Sequence, residues 1–398
     1  MSSYIRNAIV LGLLSAVGPF AIDMYLPALP AIAANLHSST LATQMTLMSF
    51  FVAFGLCQIV YGPVSDMVGR KPPLYVGLTL FTIGSVGCGL APSIETLIAA
   101  RFVQGLGAAS VMVIPRAIIR DMHTGLEATR LMSLIMLVIS VSPILAPLAG
   151  SALVVPFGWR AVFAAVTVVA LVGLLLLAYA QPETHPRENR MRVRVDAVLA
   201  GFAHLMRDPR FLCLTFVGGF GMASFFAFIA NASFVYIDHF GLTPTQFSLL
   251  FAVNAVGFIG ASQFATTLGA RFGTAQVVTS ALVLHASFAL VLLAVTLAGA
   301  DRLAVLAVLL FLAFANLGLV IPTTMVLALD DHGPIAGLAS ALGGTLQMIT
   351  GGVMIAVSGL FFDGTARPMV GAIAACAVAA LLLALATPKP KEAFNPAE

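Results

Sequence analysis

Twelve apolar runs, separated by polar turns too short to hold a domain of their own, dominate this 398-residue chain. They fall at about residues 5–34, 41–62, 74–90, 94–121, 130–155, 162–180, 211–236, 244–268, 275–297, 303–329, 335–361 and 369–386. Roughly twenty residues at about 1.5 Å each span the hydrocarbon of a bilayer. With no water there to bond the backbone, an apolar run of that length folds as a helix. Sixty per cent of the residues are apolar and only 9% are charged, which excludes an ordinary soluble protein. The expected fold is therefore an all-α integral membrane protein with twelve transmembrane helices.

One composition shift divides the chain. Residues 181–210 carry Arg187, Arg190, Arg192, Arg194, Arg207 and Arg210 with Pro182, Pro186 and Pro209. This segment joins two sets of spans and lacks interleaved aromatics, so it reads as a basic interfacial linker and not as a nucleic-acid patch. The division is then 1–180 and 211–387 as two six-helix halves, 181–210 as linker and 388–398 as a polar tail. Aligning Gly69 with Gly273 gives an offset of 204, at which Asp66, Arg101 and Asp23 become Ala270, Val305 and Ala227. The halves share a layout, but the charges survive only in the first. Fifteen basic residues fall on one side of the expected bilayer, among them Arg6, Arg70, Lys71, Arg116, Arg120, Arg130, Arg271, Lys389, Lys391 and the linker arginines. Four fall on or toward the other: Arg101, Arg160, Arg302 and Arg367. The asymmetry places both termini and the linker in the cytoplasm. The first run continues past Asp23 and does not end at a cleavage site, so no cleavable leader is expected.

An ionisable group within a span costs about 2.5–3.5 kcal/mol on insertion scales, so it marks a function or a partner. Asp23 and Arg101 are the deeply embedded charges, and Gln104 shares one helix face with Arg101. A cavity between the halves would bring Asp23 to that face. Either the two form a structural ion pair, or Asp23 is a proton and substrate site. The stretch Gly62-Pro63-Val64-Ser65-Asp66-Met67-Val68-Gly69-Arg70-Lys71 reads as a polar turn after the second span, with Asp66 and Arg70 spaced for an ion pair. Arg120 and Asp121 end the fourth span on the same side. These four charges are expected to form an inner latch that opens when the halves rock, the alternative being solvated loop charges. Pro143, Pro147 and Gly150 break up the fifth run, and the two prolines should bend its helix. In the second half, Phe228, Asn231, Asn254, Asn316 and Gln347 are the candidate cavity residues, since amides need partners in hydrocarbon. Cys57, Cys88, Cys213 and Cys376 lie in apolar runs with no CxxC pair, and the seven histidines are scattered. No metal centre, cofactor or enzyme chemistry is expected.

The Gly62–Lys71 stretch resembles the loop signature G-x-L-x-D-r-x-G-R-[KR] of the major facilitator superfamily, departing at Val64 and Met67. A closer resemblance is to its bicyclomycin/chloramphenicol-resistance branch. That branch carries D-x-Y-L-P-a-x-P, matched by Asp23, Tyr25, Leu26, Pro27 and Pro30. It also carries R-x-x-Q-G-x-G, matched by Arg101, Gln104, Gly105 and Gly107, and R-x-x-x-R-D, matched by Arg116, Arg120 and Asp121. Ser142-Pro143 and Ala146-Pro147-Leu148-Ala149-Gly150 match its fifth helix. The resemblance implies two pseudo-symmetric six-helix halves and proton-driven export of drugs or other small amphipathic compounds, amphenicol- or bicyclomycin-like, from a bacterial inner membrane. It adds Tyr25 to the substrate residues. A monomer is expected, with protons, drug and lipid as its partners. The competing function is an uptake symporter or facilitator for a small nutrient, since the same fold serves both.

Overall fold

A computed structural model of the chain describes residues 3–190 and 195–388. Arg192, Arg194, Lys389, Lys391 and the tail beyond residue 388 lie outside the described residues. Among the described residues, twelve helices are long and apolar enough to cross a membrane. They are α1 (Arg6–Asn35), α2 (Thr40–Val68), α3 (Lys71–Leu90), α4 (Ile94–Met122), α5 (Gly125–Phe157), α6 (Arg160–Tyr179), α7 (Pro209–His239), α8 (Pro244–Gln263), α9 (Thr274–Leu297), α10 (Leu303–Asp330), α11 (Ala336–Leu360) and α12 (Arg367–Ala386). No strand occurs among the described residues.

Packing repeats with a period of six helices. In the first half α1 packs on α5 and α6, α4 on α2 and α3, and α3 on α6. In the second, α7 packs on α11 and α12, α10 on α8 and α9, and α9 on α12. Each pair has its counterpart six helices further on, so two like bundles form one molecule. His285 of α9 links that helix to α10 and α7 within the second bundle. Its Nδ1 donates to the Ala313 carbonyl of α10 at 2.9 Å, and its Nε2 lies 3.3 Å from Ser224 Oγ of α7.

Several local features differ from the sequence expectation, each for a physical reason. The α-helix of α1 stops at Asp23, passes through a 3₁₀ turn at Leu26–Ala28 and resumes at Leu29–Asn35. Pro27 and Pro30 have no N–H to donate to the carbonyls four residues back, so the regular ladder cannot continue there. Gly62 and Pro63 do not lie in a turn, because α2 stays helical to Val68 and the turn shrinks to Gly69-Arg70. Polar residues leaving a membrane need not leave the helix. The fifth helix is continuous through Pro143 and Pro147 and is not broken by them. The seventh ends in a π-helical turn, Phe234–His239. A linker helix, Val195–Leu205, was not expected. Its Leu205 and Phe202 join Phe211, Ala328 and Leu342 in a small apolar cluster on the second half.

The halves meet along two seams, α2 with α11 and α5 with α8. At the end remote from the chain termini these seams are tight. Gln44 Nε2 (α2) donates to Asn231 Oδ1 (α7) at 2.9 Å, Ser248 Oγ (α8) donates to the Pro147 carbonyl (α5) at 2.9 Å, and the Phe51 and Phe226 rings stack 4.0 Å apart. At the end carrying the termini α5 and α8 part around a cavity of about 1190 Å³. The seams are closed at the far end; toward the terminal end α5 and α8 part, while α2 and α11 stay in contact through mid-span, where Thr345 Oγ1 donates to the Gly55 carbonyl at 2.6 Å.

Candidate functional site

The kink in α1 carries Asp23 and Tyr25, and Arg101 reaches Tyr25 from α4. Tyr25 is fully buried, with its hydroxyl 2.7 Å from Thr46 Oγ1 of α2 and its ring 5.5 Å from Phe163 of α6. Arg101 enters from α4 between two rings, its guanidinium carbon 4.5 Å from the Tyr25 centroid and 4.4 Å from that of Phe50. A desolvated cation over an aromatic face gains about 2 kcal/mol. Arg101 Nη1 donates to Gln104 Oε1 at 2.6 Å and to the Ala21 carbonyl at 3.3 Å. Gln104 passes the chain on, donating to Ser85 Oγ of α3 at 2.8 Å. Nε and Nη2 of Arg101 have no acceptor among the described residues.

Asp23 lies beside this group but outside it. It is 6% exposed, and its Oδ2 accepts from Ser142 Oγ of α5 at 3.3 Å. Asp23 and Arg101 form no ion pair, so the structural-pair alternative does not describe this conformation. Of the acids among the buried described residues, Asp23 stands alone. Gly150 of α5 fixes the helix kink from behind: a Cβ there would lie 2.2 Å from the Met24 carbonyl oxygen.

The second-half residues do not gather around Asp23. Phe228 is fully buried in an aromatic core, stacked on Phe251 at 5.7 Å and lying 5.0 Å from Phe314. Asn231 works at the seam between the halves. It accepts from Gln44 and donates Nδ2 to Ser358 Oγ of α11 at 3.0 Å. Asn254 and Asn316 donate to carbonyls of their own helices, Leu250 and Leu312, and Asn254 Oδ1 is buried without a donor. Gln347 packs against Gly218 of α7.

The charges at the terminal end also differ from expectation. Arg70 donates Nε and Nη2 to the two oxygens of Asp121 at 2.7 and 3.1 Å, and Nη1 to Ser65 Oγ and to Asp66. Arg120 is exposed and takes no part. Asp121, Ser65 and Asp66 belong to the first half, and none of Arg70's partners among the described residues belongs to the second, so in this conformation the group is a clamp on one bundle and no latch across two. Sequence reasoning missed its key member, Glu183, just past α6. Glu183 Oε1 accepts from Arg70 N at 2.9 Å and Oε2 from Lys71 N at 3.0 Å, capping the start of α3. Gly69 makes room with φ +101°, where a Cβ would lie 2.7 Å from Glu183 Oε2. Partial burial favours the neutral acid, but backbone N–H groups of Arg70, His185, Lys71 and Thr184 outweigh it and hold the carboxyl below the usual range. Gln44, Phe50, Ser142 and Ser85 were likewise missed as site residues. Each acts on another helix, and a linear sequence does not show which helices touch.

Two bundles of six apolar helices that meet along two seams, with a few polar groups embedded among them, have the architecture of a membrane transporter. The chain belongs to the Major Facilitator Superfamily, whose sequence pattern matches residues 11–356. It is 35% identical over 368 residues to "Uncharacterized MFS-type transporter YdgK" of Bacillus subtilis, covering 92% of this chain and 91% of that one. It is 31% identical to "Bicyclomycin resistance protein homolog" of Haemophilus influenzae, covering 94% of each. It is 30% identical to "Multidrug resistance protein D" of Escherichia coli, covering 88% of each. Among solved structures, a D-xylose-proton symporter superposes with TM-score 0.75 at 18% identity, covering 97% of each chain. A peptide transporter in complex with sulfate superposes with TM-score 0.77 at 13% identity, covering 96% of this chain and 93% of that one. At such identities the superpositions show the fold alone. The chain is a multi-pass membrane transporter and not an enzyme.

Proposed function

We propose that the protein is a proton-coupled exporter of drugs and other small amphipathic compounds that works by alternating access, with Asp23 exchanging a proton for substrate. One observation carries the reading. Among the described residues Asp23 is an embedded acid without a counter-charge, while Arg101 nearby has two buried donors without acceptors. An embedded acid needs a counter-charge or a proton. In the conformation described, a proton fills that role. Substrate arriving from the open end displaces it, and the freed carboxylate becomes an acceptor for Arg101. Rocking about the α2–α11 and α5–α8 seams then opens the far end. Proton uptake there neutralises Asp23, releases Arg101 and lowers the affinity for substrate. Tyr25 and Gln104 hold Arg101 in place, and the Arg70 clamp keeps the first half rigid while it moves.

The names of the Haemophilus and Escherichia relatives support export of drugs. The open end is placed in the cytoplasm, with both termini, and the membrane is a bacterial inner membrane in which the protein acts as a monomer. The basic asymmetry of the sequence supports this orientation. Reporter fusions after residues 194 and 398 should both report cytoplasm.

The uptake reading separates cleanly by direction. Everted vesicles with an acid interior should accumulate labelled chloramphenicol, and nigericin should abolish the accumulation. Accumulation in right-side-out vesicles under an inward proton gradient instead would establish uptake.

A further inference from the structure

At the terminal end of the second half lies a group of titratable side chains that the proposed cycle does not use. It sits where the linker helix, Val195–Leu205, runs into α7, beside the turn between α10 and α11. Asp208, the residue before α7, employs both carboxylate oxygens. Oδ1 accepts from the backbone N–H groups of Arg210 and Phe211 at 2.9 and 3.3 Å and so caps α7. Oδ2 lies 3.1 Å from Nε2 of His332, in the α10–α11 turn. His332 is only 5% exposed. Its ring stands nearly perpendicular to Phe211 of α7, at 5.5 Å, and to His204 of the linker helix, at 5.9 Å.

Apolar contacts lay the linker helix on this spot. Leu205 is fully buried with Phe211, Ala328 and Leu342, Phe202 packs on the same cluster, and Gly201 lies against Leu338 of α11. Those contacts are indifferent to pH. The contact of His332 with Asp208 is not, because imidazole is the side chain that ordinarily changes charge between about pH 5 and 8. Of the other charges at this spot, Arg210 donates Nε to Asp331 at 2.9 Å, and Asp330 and Arg207 are exposed. His204 is exposed as well, so water and salt screen its charge.

We infer that His332 and Asp208 form a proton-operated fastening that holds the linker helix to the second half and tightens as the compartment at the terminal end acidifies. A carboxylate only accepts, so neutral His332 offers it Nε2–H as an ordinary donor. Protonated His332 makes a charge-assisted bond, roughly twice as strong. That gain is complete below the titration of the imidazole and is lost as pH rises through it. The oxygen that caps α7 is a different one, so the fastening loosens without unmaking the start of α7. The inference goes beyond the proposed function and meets it at one point. Under that reading protons enter on this side, and the fastening tightens as the protein turns over.

Hydrogen–deuterium exchange of the linker-helix amides in the purified full chain measures the hold, because exchange tracks the opened fraction. Comparing variant and unsubstituted protein at the same pH cancels the intrinsic pH dependence of exchange. His332→Gln keeps a neutral donor and cannot charge. It should speed exchange across residues 197–205 about fivefold at pH 6 and hardly at pH 8, as the difference between a charged and a neutral hydrogen bond implies. Asp208→Asn keeps an acceptor for the cap. It should show the same pH-dependent ratio, and it carries the test if His332→Gln does not fold. The double variant should exchange no faster than either single one. His204→Gln should leave the pH profile unchanged. A ratio equal at both pH values overturns the inference, because the contact is then packing alone. No effect at either pH overturns it too, because the apolar cluster then holds the helix unaided. Loss of the pH profile in His204→Gln instead removes His332 as the proton acceptor. The readout involves neither drug nor Asp23, so failure of the transport reading leaves these outcomes untouched.

Discussion

Gln44 of α2 donates its amide to both Asn231 Oδ1, at 2.9 Å, and the Ala230 carbonyl, at 3.1 Å, and so bolts the first half to the second at the closed end. Both side chains are fully buried. With Ser248–Pro147 and the Phe51–Phe226 stack, this bond is among those that must break for the far end to open in the proposed cycle. Removing it costs the closed state about 1 kcal/mol, roughly fivefold in an equilibrium. Gln44→Leu should therefore raise the population opened at the far end. Spin labels at Ser38 and Thr243, read by double electron–electron resonance, should show a larger long-distance fraction than the same labels in the unsubstituted protein. An unchanged distribution would mean that the aromatic stack of Phe51 on Phe226 holds this end without the amides.

The kink in α1 depends on a close approach from α5. Gly150 sits where any side chain would run into the Met24 carbonyl. Overpacking of this kind costs about 1–3 kcal/mol, and a backbone atom cannot turn aside as a side chain can. Gly150→Ala should lower the melting temperature of the purified protein. It should also disturb Asp23, one residue before Met24, so that transport falls further than the loss of folded protein accounts for. A Gly150→Ala protein with normal melting and normal transport would show that α5 slides freely along α1.

Glu183 provides a pH test outside the membrane. Its folded carboxyl lies below the ordinary range, so its contribution is complete above about pH 4.3, the unfolded value. That contribution is lost as pH falls through the lower folded value. Glu183→Gln removes a charge-assisted cap and should lower the melting temperature at pH 7. The gap between variant and unsubstituted protein should close only below about pH 4. A gap that stays constant to lower pH would assign the effect to lost packing instead of to the carboxylate.

Much of the fold was legible because hydrocarbon leaves an apolar run few choices. All twelve spans were readable, and so was the Asp66–Arg70 pairing, which needs only helical spacing. What depends on contacts between helices was not. The orientation of Arg101 is set by Tyr25 and Phe50, rings from two other helices, and spacing along α4 carries no trace of them. The target of Glu183 is a pair of backbone N–H groups, invisible to a search for opposite charges. The linker helix did leave a signal, with Val198, Leu199, Phe202 and Leu205 at helical spacing, but the surrounding arginines masked it. Polarity misled at Gly62 and Pro63, where α2 runs on as a helix.

Asp23 is the centre of the proposed mechanism, and proton release on substrate binding is its most direct measure. Asp23→Asn keeps the size of the side chain and an acceptor for Ser142, so the variant should fold and retain the kink in α1. Adding a transported drug to detergent-solubilised protein in weak buffer should release protons from the unsubstituted chain near neutral to mildly acidic pH. Asp23→Asn should release none, and should lose uphill accumulation while still permitting downhill exchange. Undiminished proton release from a well-folded Asp23→Asn protein would remove Asp23 from the coupling.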